Sequence, residues 1–130
     1  MLQQTFIELG GGYGDVYELI ELITTNQPRL HRTFIFTHEN ESGQFLSLAA
    51  AFRPAGESKF MPIYICREGI QQKGDAVPAR RRLFEEAALH CGSNPVIIPL
   101  KHSTEFADVK LFYQYIIGIL RLNHLLPPLQ

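Results

Sequence analysis

Apolar residues recur along this chain in two rhythms, and the switches between them mark the elements. Val16, Leu19, Ile20, Leu22 and Ile23 follow one another at the spacing of a single helix face. That helix is predicted to open at Asp15, with Glu18 three residues on as in a capping box, and to stop at Asn26 and Pro28. Ahead of it, residues 5–9 form a short strand-like run, and Gly10-Gly11-Gly12-Tyr13-Gly14 is a turn dense in glycine. Three strand-like runs follow, at residues 33–38, 44–53 and 60–66, joined by turns at 39–43 and 54–58. The first is rich in β-branched and aromatic residues, the second carries Ala49-Ala50-Ala51 at its centre, and the third has Pro62 near its start.

Pro78 is placed at the first position of a second helix, whose apolar face is Leu83, Phe84, Ala87, Ala88 and Cys91 and whose stop is Gly92. Residues 96–100 are wholly apolar and predict a short, fully buried strand. Ser103 or Thr104 caps a long last helix, with Glu105 and Asp108 in its first turn and an end near residue 125, before Pro127-Pro128. The order α-β-β-β-α-β-α predicts an α/β (α+β) fold in one domain, residues 1–130, with a mixed sheet of four or five strands. A parallel step from the third strand through the second helix to the last strand is expected to cross over right-handed.

Composition narrows the function classes. A chain of 130 residues buries a real core without disulfide or metal staples. With 45% hydrophobic and 19% charged residues it is not disordered, and a net charge of −1 excludes a general polyanion binder. The first residues lack a basic segment before an apolar run. The most apolar stretch, residues 111–126, is broken by Gln114, Arg121, Asn123 and His124, so a cytoplasmic protein without a membrane partner is expected. Cys66 and Cys91 form no C-x-x-C, and the five histidines form no H-x-x-x-H, so no metal and no cofactor is expected.

Four places carry candidate chemistry, and no catalytic residue stands out. The glycine turn lacks a P-loop lysine, Asp15 replaces the last glycine of G-x-G-x-x-G, and residues 1–28 hold no Lys or Arg. A turn and helix cap fits that segment better than a phosphate loop, although Glu8, Asp15 and Glu18 offer oxygens to a divalent cation. Arg80, Arg81 and Arg82 fall in the first turn of the second helix, where the helix dipole disfavours cations. They make either a solvated polar face or an anion site for a phosphate, a carboxylate or a nucleic-acid backbone. Arg67 and Glu68 are expected at a strand end, as an ion pair or at a cleft that Glu8 and Asp15 also line. On the last helix, Val109, Tyr113, Ile116, Ile117 and Leu120 form the core face. Lys110, Gln114, Gly118 and Arg121 form a narrower line, and Gly118, Arg121 and Gln114 are the interface candidates.

Three stretches, FIELGGGYGDVYELIEL, PIYICREGI and FYQYIIGILRLNHLLPPL, together resemble a family of small proteins of about this length from Bacillus-like bacteria. Some members of that family are labelled methylthioribose kinase. A sugar kinase needs a nucleotide site, metal-binding carboxylates and a base. This chain has no phosphate loop and no HRD or DFG, so the resemblance carries over no site residue. The element order is also similar to the restriction-endonuclease-like core, which holds a metal with Pro-Asp and (Asp/Glu)-x-Lys on adjacent strands. No Pro-Asp occurs on the predicted strands, and Glu57-Ser58-Lys59 falls in a turn, so that likeness implies a core without its nuclease site.

The expectation is a non-catalytic binding or interaction module that pairs with itself through the last helix, with an anionic small molecule as a further partner. One alternative is an enzyme acting on a phosphorylated or nucleotide-like small molecule. Another is a nuclease-related nucleic-acid binder, which requires a wider basic face including Arg29, Arg32 and Lys73.

Overall fold

The structure, a computed structural model, describes residues 3–9, 14–40, 43–72, 78–100, 109–123 and 125. Among these the chain forms β1 (Gln3–Glu8), α1 (Gly14–Thr25), β2 (Leu30–Asn40), β3 (Gly43–Phe52), β4 (Phe60–Gln72), α2 (Ala79–His90), β5 (Val96–Pro99) and α3 (Val109–Leu122). A 3-10 turn, Gln27–Arg29, joins α1 to β2. The result is an α+β fold around one mixed sheet in the order β1-β4-β3-β2-β5. The β2–β3 and β3–β4 pairs are antiparallel, while β1 joins β4 and β5 joins β2 in parallel.

Both faces of the sheet are covered. On one face Val16, Leu19 and Ile23 of α1 and Phe84 of α2 pack with Ile35, Leu48, Ala50, Phe52 and Cys66. On the other, Ile116 and Leu120 of α3 pack with Phe34, Phe36, Ala49, Ala51, Ile63 and Ile65. Each fully buried Leu, Ile or Phe contributes about 1.5–3 kcal/mol, which holds the layers together. The alanine run of β3 sits at the sheet centre and is completely buried. Alanine is a weak strand former, but at a strand covered on both sides its small side chain lets a helix approach each face, and packing overrides propensity.

Local chemistry ends the helices. Asn26 closes α1, its backbone and side-chain N–H groups both donating to the Leu22 carbonyl at 3.0 Å. Gly92, at φ +83°, closes α2 in a Schellman motif. The Ser93 N–H donates to the Ala88 carbonyl at 2.8 Å and the Gly92 N–H to that of Leu89 at 3.0 Å.

Several boundaries differ from the sequence expectation. The third strand of the meander continues to Gln72, so Arg67 and Glu68 lie inside β4 and do not end it. Leu48 pairs with Cys66 and Leu46 with Ile70, so residues 67–69 oppose Ser47 alone, and the strand absorbs the excess as a bulge that includes Gly69. The last strand is not fully buried. β5 lies at the sheet edge beside β2, with Ile98 buried in the cluster beneath α3 and Ile97, which points to the opposite face, 55% exposed. It runs in the same direction as β4 without neighbouring it. Pro78 occupies the N-cap position of α2, and its carbonyl accepts the Arg82 N–H at 3.1 Å. Leu83 is exposed, since α2 turns Phe84 and Ala88 inward. The glycine turn 10–13, Lys73, Ser103, Thr104, Glu105 and Asp108 lie outside the described residues.

Candidate functional site

Strand side chains alternate between faces, and β1 presents Gln4, Phe6 and Glu8 to α3. The Phe6 and Tyr113 rings stack at 4.5 Å with planes 18° apart. The Tyr113 hydroxyl donates to Glu8 Oε1, and Arg121 Nε donates to Gln4 Oε1 at 2.7 Å. Tyr113 meets the end of β1 and Arg121 its beginning, so α3 runs antiparallel to that strand. Glu8 is thus engaged by a phenol from α3, and Arg121 is turned onto its own sheet. Asp15 lies in α1 and Arg67 and Glu68 in the β4 bulge, but these three side chains are outside the described set. The cleft expected from Glu8, Asp15, Arg67 and Glu68 is therefore represented by Glu8 alone.

The side of α3 opposite Ile116 and Leu120 is also apolar. Tyr115 is 37% and Leu122 82% exposed, and Gly118 lies between them at helical spacing. A β-carbon placed on Gly118 would meet no atom within 4 Å. Gln114 is exposed beside this stripe. Of the three interface candidates, Gly118 and Gln114 therefore face outward and Arg121 inward.

The arginines of α2 leave the helix in different directions, since consecutive helix positions point about 100° apart. Arg81 Nε donates to Glu85 Oε1 at 2.7 Å, Arg80 is engaged as well, and Arg82 is exposed.

A second group of cations gathers where β2 begins. The Arg53 N–H donates to the Arg29 carbonyl at 2.7 Å, and Arg29 Nε donates to the Arg53 carbonyl at 3.1 Å. The β2–β3 register slips between Leu30, opposite Phe52, and Arg32, opposite Ala51, which makes His31 the extra residue of a bulge. Ala51 belongs to the cluster beneath α3, so Arg32 points to that face. Arg32 Nε is buried and has no hydrogen-bond partner. The His31 imidazole is held below its ordinary pKa of 6.5, first by burial and then by the Arg32 and Arg53 charges, while a hydrogen bond to the Leu125 backbone acts in the opposite direction. Sequence reasoning named Arg29 and Arg32 only as part of a wider basic face and did not bring in His31 or Arg53. The β2–β3 hairpin register was the signal that could have found them, since it sets residue 53 beside residue 29.

Among the described residues no group of three His, Cys, Asp or Glu is placed to hold a metal, and no helix is long and apolar enough to cross a membrane. Cys66 is buried, Cys91 is half-buried, and neither forms a disulfide. The fold and these surfaces define an α+β protein with helices on both faces of a mixed sheet, a basic cluster at one strand end and an outward apolar stripe on its last helix. The chain belongs to the family described as Domain of unknown function (DUF7147), which matches residues 2–126. No curated protein and no solved structure matches it.

Proposed function

We propose that this protein is a non-catalytic interaction module that pairs with a second copy of itself through the outer face of α3. The observation that carries this reading is the second apolar stripe on a helix already packed by its first. Ile116 and Leu120 attach α3 to the sheet, yet Tyr115 and Leu122 face solvent on the other side with Gly118 between them. A helix apolar on both sides is central to an assembly or lies at an interface. The stripe is uncharged, and the neighbouring Arg121 is drawn off it by Gln4. Two copies related by a twofold axis bring the same stripe together twice, so that a large side chain of one copy lies over the glycine of the other. Glycine inside a helix costs about 1 kcal/mol against alanine, and close approach of a partner helix gives that cost a purpose.

Gly118→Leu tests the proposal because nothing within the protomer resists the larger side chain. The variant is expected to fold with unchanged or raised thermal stability as a monomer while losing the dimer in sedimentation. A variant that keeps the wild-type dimer mass overturns the assignment of this face.

A further inference from the structure

We propose that Arg29, Arg32 and Arg53, with His31 beside them, form a binding site for a phosphoryl group at the start of β2. The inference stands apart from the pairing of α3, since it rests on a different surface. A guanidinium is always charged, and burying one of its N–H groups without an acceptor is costly. Buried polar groups in folded proteins are nearly always partnered, so the orphaned Nε of Arg32 calls for an acceptor that the described residues do not supply. Among the described residues no carboxylate pairs with Arg29, Arg32 or Arg53.

The backbone builds this concentration of charge. Reciprocal hydrogen bonds hold the Arg29 and Arg53 backbones together across the mouth of the hairpin and fold the Arg29 guanidinium onto the Arg53 carbonyl. The bulge at His31 sets His31 and Arg32 side by side, and bulges commonly re-aim side chains at functional sites. Among the described residues, the charges acting on the imidazole are those of Arg32 and Arg53, and both are positive. Guanidinium forks match the oxygens of a phosphate in pairs, and three of them suit a dianion better than a single carboxylate. The same chemistry serves free phosphate and a phosphorylated small molecule. This site differs from the α2 arginines, where Arg81 already has Glu85.

The test is titration of the intact chain with inorganic phosphate at constant ionic strength, followed by NMR of the arginine Nε–H and His31 imidazole signals. Saturable shifts of Arg32 and His31 are expected, with the His31 pKa rising as phosphate binds. Arg53→Gln, at an exposed position, is expected to weaken binding about ten- to hundredfold. Arg32→Gln is expected to do the same if it folds, and Arg82→Gln to have no effect. A second arm with a phosphomonoester separates the two sources. Tighter binding than phosphate assigns the site to a phosphorylated small molecule, and equal binding assigns it to the ion. A non-saturable response, or a saturable one unchanged in Arg53→Gln, overturns the proposal. So does binding of a long polyanion alone.

Discussion

Leu120 and Leu122 stand two residues apart on α3 and occupy opposite environments, which makes them a matched pair of probes. Leu120 is fully buried against the sheet, and Leu122 is 82% exposed. Leu120→Ala removes three carbons from a packed core and leaves a cavity, at a cost of about 2–5 kcal/mol in protomer stability. Leu122→Ala removes the same three carbons from the surface, where the expected change is within about 0.5 kcal/mol. Pairing through α3 alters the second result. At about 0.8 kcal/mol per buried CH₂, full burial of those three carbons is worth about 2.4 kcal/mol. Most of that area is still open in the protomer, so pairing gains about 2 kcal/mol per copy and about 4 kcal/mol per dimer. That is roughly a thousandfold in the dimer dissociation constant. Urea unfolding at two protein concentrations a hundredfold apart reads it. A dimer that unfolds to monomers gains about 2.7 kcal/mol of apparent stability at the higher concentration, and Leu122→Ala is expected to reduce or abolish that dependence. A concentration dependence in the wild type that Leu122→Ala leaves intact refutes the α3 pairing.

Further outcomes follow from named contacts. Tyr113→Phe keeps the stack on Phe6 but deletes the bond to Glu8, and is expected to cost about 1 kcal/mol in denaturant unfolding, with the native fold retained by circular dichroism. Arg81→Gln breaks the i,i+4 pair with Glu85 and is expected to lower stability by no more than about 0.5 kcal/mol, read from the thermal midpoint. Because the His31 pKa is lowered in the folded protein, the unfolded chain binds the proton more readily. Stability is therefore expected to be full above the ordinary value of 6.5 and to fall as the solution is acidified below it. Denaturation curves across that range check the sign, and His31→Gln is expected to flatten the acid-side slope.

The periodic elements were the legible ones. The face of α1 was plain because Val16, Leu19 and Ile23 need only local spacing, and the Gly92 stop because its positive φ is a local demand. The continuation of β4 was hidden because Arg67 to Gly69 look like a strand end until pairing with β3 forces a bulge around Ser47. β5 looked buried because its residues are apolar, and its edge position depends on where α2 delivers the chain. The outward side of α3 was partly visible, since Gln114 and Gly118 stood on a narrow line apart from the core face. That Arg121 turns to Gln4 instead of outward depends on a residue 117 positions away. The basic cluster was missed for the same reason, because Arg53 meets Arg29 only through hairpin register and the orphaned Nε of Arg32 exists only in the folded chain.

Sedimentation equilibrium of the wild-type chain over a hundredfold range of concentration tests the central proposal most directly. Pairing through α3 predicts a species of about twice 14.8 kDa that dissociates on dilution and is absent in Gly118→Leu. A mass of 14.8 kDa at every concentration contradicts it.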